Sequence, residues 1–569
     1  MSWDNLVKKH WKNMEECVKI TNGDKVIDCD TFINICKSTV SNKVQSNEYV
    51  LNDTISDVEE SLRKKTDKQR LEIMIDIYKK NSEFMEKKKS HSEVFTNING
   101  FEEGLRKAYR KDPSPFLNIN SKFLEVSFGT GICLVGILNF LMETLISDAA
   151  VMYGTGKEAR SMNDSELKKH ILDNMLYGCE LQDIFAPLAL FALDPDQTST
   201  KFAKHLITGD SLEVNDWTFD GDVPNGKFDV VFGNPPYNEI DKDYDYFKEE
   251  WADAKETKSL HLAFIRLAVD LLKAKGLIIF ITRASVCVND TAKSFRKNIL
   301  LNFFDILNIW IPRKGTLFDN AQTTGMLLVA RFDPERTVNS ETEFARYMNE
   351  QDHRCVYQLE KDTDTIPLLW HEHTVDIYKE WGSLKDPLLA QKGIKPDGTI
   401  VKKNGNTQTT IDNNGDELEE RTNGPKDPNG KNPFLIKLNK NDKETSRTNV
   451  DRIRKNVKED RKTEIKDKKL LCPSGCTDAD SNKVQFLENI FEDTAGEWAY
   501  SDNIVAIGIP TNHTTGSLRS FLEHPITQIY GSLFRVDRNT SAAFYRRFSY
   551  NMDVNKFKDE IKTWAEKQI

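Results

Sequence analysis

The sequence predicts an α/β protein built on a doubly wound sheet of seven strands with helices on both faces. Between Ser121 and Phe332, short runs rich in β-branched and aromatic residues alternate with longer stretches of helical period. The runs are Phe123 to Phe128, Met175 to Glu180, His205 to Gly209, Phe228 to Phe232, Leu277 to Thr282, Ile306 to Ile311 and Met326 to Arg331. Helical patterns such as Cys133 to Leu145 and Leu260 to Lys273 fall between most of them. Only Pro312 to Gly325 separates the last two runs, too little for a crossover helix, so that pair is expected to be antiparallel.

At 569 residues, 38% hydrophobic and 30% charged, the chain is long enough for more than one core, which excludes a disulfide miniprotein, a collagen-like repeat or a wholly disordered tail. It contains no run of about 18 apolar residues, and its first residues lack the charge and apolar pattern of a secretory signal. The expectation is therefore a soluble, cytoplasmic protein with no membrane partner. Nine scattered cysteines suit reduced thiols, and the lone Cys472-x3-Cys476 pair falls short of a zinc site, so no structural metal is expected. The formal net charge is −10, yet residues 391–470 carry 20 Lys and Arg against 14 Asp and Glu. That stretch is also dense in turn signals, including Asn413-Asn414-Gly415 and Asp427-Pro428-Asn429-Gly430, and reads as the loops of a separate module.

Chemistry concentrates at the ends of the first four runs. Phe123-Leu124-Glu125-Val126-Ser127-Phe128-Gly129-Thr130-Gly131 is a strand running into a glycine turn and then a helix, which is either a tight corner or a place where a ligand meets backbone amides. Glu180 ends the second strand, placed to accept hydrogen bonds from two ribose hydroxyls. It lies 49 residues beyond Gly131, where a dinucleotide fingerprint expects about 20. Either an insertion occupies Asp148 to Ser165 or Glu180 is only a strand-end charge. Asp210 follows the third strand, as an acceptor for an adenine amino group or as the opening of a turn. The fourth strand runs into Asn234-Pro235-Pro236-Tyr237. Two prolines fix φ and remove donors there, leaving the Asn234 side-chain oxygen and the Pro235 carbonyl as acceptors beside an aromatic ring. Adenine's exocyclic amine is a poor nucleophile because its lone pair is delocalised. Two such acceptors favour a more tetrahedral nitrogen while Tyr237 stacks on the base.

With these motifs in order, the segment from Ser92 to Phe332 resembles the S-adenosylmethionine-dependent amino-methyltransferases, specifically the gamma-class adenine DNA methyltransferases, whose N-P-P-Y motif matches Asn234 to Tyr237. The resemblance implies a Rossmann-like seven-stranded methyltransferase sheet and S-adenosylmethionine as cofactor. It implies that Phe95 and Thr96 pack over the methionine part, that Glu125, Gly129 and Gly131 form the first cofactor motif, that Glu180 with Leu181 holds the ribose and that Asp210 holds the adenine. Asn234, Pro235, Pro236 and Tyr237 would form the catalytic corner, with Asn234 also reaching the cofactor. Phe318, in Leu317-Phe318-Asp319-Asn320-Ala321, would stack on the other face of a flipped base, core packing being the alternative. The chain departs from the family pattern at Asn97, Cys133 and Arg283, where the family usually has Pro, Phe and Pro.

The implied reaction is direct methyl transfer to the N6 amine of an extruded adenine in double-stranded DNA at a specific sequence. Acceptors in ribosomal RNA or a protein glutamine amide, and a catalytically inactive binding protein, remain as alternatives. The expected division is a helical accessory region at 1–90, a catalytic domain at 91–335, a connecting region at 336–379 and a target-recognition domain at 380–569. In the last, Arg452, Arg454, Lys455, Lys458, Arg461 and Lys462 are the candidates for DNA contacts. Members of this class often act as monomers, and a cognate restriction endonuclease is a conceivable partner.

Overall fold

The structure is a computed structural model that describes residues 96–182, 185–194, 198–238, 259–318, 325–384 and 386–392, the backbone of short strands between 400 and 454, residues 468–473, 484, 490–494, 499–500, 504–535 and 542–569, and the single positions 66 and 69. The stretch 1–90, expected as a helical accessory region, lies outside the described residues apart from positions 66 and 69. Two compact units divide the chain, one within 1–345 and 356–366, the other within 346–355 and 367–569. Among the described residues, no helix is long and apolar enough to cross a membrane.

All seven expected strands form: β1 (Phe123–Glu125), β2 (Leu176–Glu180), β3 (Leu206–Thr208), β4 (Phe228–Gly233), β5 (Leu272–Arg283), β6 (Phe304–Ile311) and β7 (Gly325–Phe332). β1 to β5 pair in parallel, and β7 lies antiparallel between β5 and β6. The sheet nevertheless has nine strands rather than seven. β8 (Glu341–Met348) and β9 (Gln351–Gln358) extend it in the order β3-β2-β1-β4-β5-β7-β6-β8-β9. Both fall in the stretch read as a connection, because their buried positions are not apolar runs. Thr342 and Arg346 are among the buried residues of β8, and only Cys355 is buried in β9.

Successive residues of β5, Leu277 to Ile281, are each at most 1% exposed, so both faces of the sheet are covered. One face packs with α1 (Ile98–Lys111), α2 (Ile132–Thr144), α3 (Asp164–Asn174) and α4 (Phe185–Leu193), whose apolar residues share a core with Phe123, Val230, Phe232, Ile279 and Ile281. α5 (Leu260–Leu271) stands outside that cluster and packs against β4 and β5. Between β1 and β2 the chain forms two short helices, Asp148–Met152 and Gly156–Ser161, and then α3, so the long interval before Glu180 is a helical insertion. The strand order reverses at β1, and the crevice outside the carboxyl ends of β1 and β4 is where such sheets take ligands.

The second unit contains an antiparallel four-stranded sheet of Ala390–Lys392, Ile504–Gly508, Lys469–Pro473 and Phe491–Asp493, in that order. Lys469 and Asp493, 1% and 2% exposed, pair at 2.8 Å within it. Val554–Lys556 forms a 3₁₀ turn, followed by a helix, Asp559–Glu566.

α1 begins where Asn97 caps it, its side chain accepting from the amides of Asn99 and Gly100, while the Asn97 amide donates to Leu317 O at 2.8 Å. Gly100 rests so closely on this segment that a Cβ would lie 2.0 Å from Thr316 O. Gly100→Ala should gain about 0.5–1 kcal/mol of helix propensity and lose about 1–3 kcal/mol to overpacking. A net loss of stability in denaturant titration is expected, and a stabilised variant would show that the contact yields freely.

Candidate active site

Thr96, Glu125, Gly129, Glu180, Leu181, Asp210, Asn234, Pro235, Pro236 and Tyr237 line one cavity of about 200 Å³ at the carboxyl edge of the sheet. Three candidates are placed otherwise. Phe95 lies outside the described residues. Gly131, at φ +88, forms the N-cap of α2, where an added Cβ would meet Ala189 of α4 at 3.0 Å, so it supports the wall from behind. Phe318 is 3% exposed and packs on Tyr237. Of the basic candidates, Arg452 and Arg454 lie on the strand Arg452–Arg454, paired antiparallel with Leu418–Glu420. The side chains of that strand, and Lys455, Lys458, Arg461 and Lys462 entirely, lie outside the described residues.

The turns around the cavity are tied to one another by polar contacts. The Gly129 amide donates to Glu180 Oε2 at 2.8 Å, and the Gln182 amide to Oε1 at 3.0 Å. Asp210 Oδ1 accepts from the Leu212 amide at 3.1 Å, and Ser211 Oγ donates to Val126 O at 2.6 Å. β4 ends at Gly233 with φ +133, and a Cβ there would press on Glu125 Cγ at 3.1 Å. The absence of that side chain lets the N-P-P-Y turn cross directly over the Glu125 carboxyl.

Glu125 is 1% exposed, and its Oε2 has no hydrogen-bond partner among the described residues. Burial pushes its pKa well above the ordinary carboxylate range, and the nearby Glu180 adds to the rise, while a hydrogen bond with the Cys133 thiol opposes it. Burial and Glu125 likewise push the Cys133 thiol up, and Thr96 hydrogen-bonds with it. Asn234 Nδ2 donates to Thr96 Oγ1 at 3.1 Å, and Tyr237 OH donates to Asn234 Oδ1 at 2.6 Å. Glu125, Cys133, Thr96, Asn234 and Tyr237 thus form one polar chain along the cavity wall. A carbonyl oxygen carries two lone pairs, so Asn234 Oδ1 can take a second donor besides Tyr237.

The Tyr237 ring is 6% exposed. Phe318 meets it edge to face at 6.0 Å and 76°, and His261 at 5.7 Å and 85°. A base held between two parallel rings needs about 7 Å between their planes, twice the contact distance. The two rings expected to clamp a base therefore touch each other here. Sequence reasoning passed over His261 and Ser211 and treated Cys133 and Arg283 only as departures. Their spacing gave no signal, since each reaches the site through a fold contact.

The fold and the hollow together define an α/β sheet with a ligand cleft at its switch point and an acceptor corner at the end of β4. Residues 140–311 match the family model described as Eco57I restriction-modification methylase. The type II restriction enzyme and methyltransferase RM.Eco57I of Escherichia coli is 25% identical over 225 residues, 33% of this chain and 22% of that protein. The type II methyltransferase M.BstVI of Geobacillus stearothermophilus is 27% identical over 199 residues, 32% of each chain. The chain therefore matches less than a third of the length of either curated relative. An electron cryomicroscopy structure of a DrdV–DNA complex aligns over 99% of this chain and 68% of that one at 10% identity, with a TM-score of 0.48.

A carboxyl whose folded pKa is raised contributes stability that is fully present below its unfolded pKa and is lost as pH rises through the folded value. Between those limits wild type should lose stability relative to Glu125→Gln, whose side chain does not titrate. Melting temperatures of both proteins from pH 4 upward check this; parallel curves would mean that Glu125 ionises normally.

Proposed function

We propose that this protein transfers a methyl group from S-adenosylmethionine to the N6 amine of an adenine turned out of double-stranded DNA. The observation that carries the reading is the Asn234-Pro235-Pro236-Tyr237 turn on the wall of the same cavity as Glu125, Glu180 and Asp210. The match of residues 140–311 to restriction-modification methylases supports it independently of that geometry.

The residues present fit the cofactor. Glu180 and Asp210 stand at neighbouring strand ends for ribose and adenine. Gly129, at φ +50 with open space where a Cβ would stand, allows close approach. The buried, unpartnered Oε2 of Glu125 suits the cationic end of the ligand. When bound, S-adenosylmethionine supplies a methyl group on a positively charged sulfur. Thr96 holds the Asn234 amide so that Oδ1 faces away from it. In this reading Oδ1 and the Pro235 carbonyl accept the two hydrogens of the adenine amine and fix the direction of its lone pair. Positioning of this kind is worth roughly 7–11 kcal/mol, enough to make the corner the main source of rate. Tyr237 and Phe318 take the base between them once the face of the Tyr237 ring is uncovered. Target recognition is assigned to the region 380–569, with Arg452, Arg454, Lys455, Lys458, Arg461 and Lys462 on phosphates.

Incubation with methyl-labelled S-adenosylmethionine and unmethylated double-stranded DNA should place label on adenine N6. Asn234→Ala should reduce the rate by about 10²–10³-fold, as for loss of one aligned polar group. Label on RNA or protein but not on DNA would refute the reading. Replacing the six basic residues with Gln should weaken DNA binding and flatten its dependence on salt, each lost phosphate contact removing about 0.9 from the slope. An unchanged slope would move the recognition surface elsewhere.

A further inference from the structure

Arg283 ends β5, at the same edge of the sheet as the N-P-P-Y turn. Its guanidinium carbon lies over the face of the Tyr237 ring, 5.4 Å from the centroid. Its Nε is buried without a hydrogen-bond partner, and among the described residues no carboxylate pairs with the guanidinium. His261, the other polar neighbour of the ring, is 3% exposed with Nε2 also unpartnered. Burial and the Arg283 charge hold its pKa down to about 3, so it stays neutral and adds no competing charge.

The ring that is to stack on a base is therefore already covered. Phe318 and His261 are packed at 3% exposure, whereas Arg283 is only partly buried and has a long flexible stem. Arg283 is the cover that can leave. A cation displaced from an aromatic face loses that attraction and needs an anion in its place. A nucleotide within a polynucleotide brings both the planar ring that displaces it and the phosphate that receives it.

We propose that Arg283 is a placeholder for the acceptor base: it rests on Tyr237 in the free protein and, when a base takes that face, swings out to pair with a phosphate of the same strand. The inference rests on the proposed function and adds a phosphate-binding positioning residue to it. It assigns a role to the one position in this strand end that departs from the family's proline.

The test is DNA binding as a function of salt, with S-adenosylhomocysteine present, together with steady-state methyl transfer to unmethylated double-stranded DNA. Arg283→Met should make the slope of log affinity against log salt shallower by about 0.9, the value for one phosphate contact. KM for DNA should rise several-fold while kcat holds and the affinity for the cofactor stays unchanged. Arg283→Lys keeps a cation at that place and should keep the slope. A wild-type slope and KM in Arg283→Met would overturn the proposal, as would a slope lost equally in both variants, which marks a purely structural role. A wild-type protein that neither binds nor methylates DNA would sink the functional reading, and this inference with it.

Discussion

The hydrogen bond from the Gly129 amide to Glu180 Oε2 fixes the end of β1 to the end of β2, and the rest of the site is arranged around it. Glu125 and Gly178 sit opposite each other in the parallel register, which brings the two turns level. The Phe128 amide donates to Cys179 O at 3.2 Å and the Gly209 amide to Glu180 O at 2.8 Å, so the third turn is drawn into the same lattice of backbone contacts. A pocket assembled in this way from cross-tied strand ends is rigid before any ligand arrives.

The other end of the cavity is held differently. Around Tyr237 the contacts are aromatic edges and a guanidinium, which yield more readily than paired amides. Under the proposed function this asymmetry gives an order of events, in which the cofactor enters a finished pocket and the acceptor must open its own. The polar chain from Glu125 through Cys133 and Thr96 to Asn234 and Tyr237 crosses the boundary between the two halves. It fixes the Asn234 amide on the rigid side while Tyr237 faces the yielding one.

The parallel core was legible because its inner strands β1, β2, β4 and β5 are largely buried on both faces and therefore written as near-continuous apolar runs, while β3 at the edge is only partly covered. The antiparallel turn-back to β7 followed from one short connection. β8 and β9 were not legible, since an edge strand needs few apolar residues and the buried positions of β8 include Thr342 and Arg346. At the site, the strand-end acids and the N-P-P-Y turn could be read from the sequence because each stands directly after an apolar run. The approach of Cys133 to Glu125, or of Arg283 to Tyr237, could not, because it depends on how far a helix or strand extends before it ends.

The placement of Cys133 also determines what the cavity withstands. A thiol attacks electrophiles and peroxides only as the thiolate, and burial beside a second acid keeps this proton in place at any ordinary pH. A protonated sulfur in the wall of the pocket resists oxidants and alkylating agents, so the site keeps its shape in their presence.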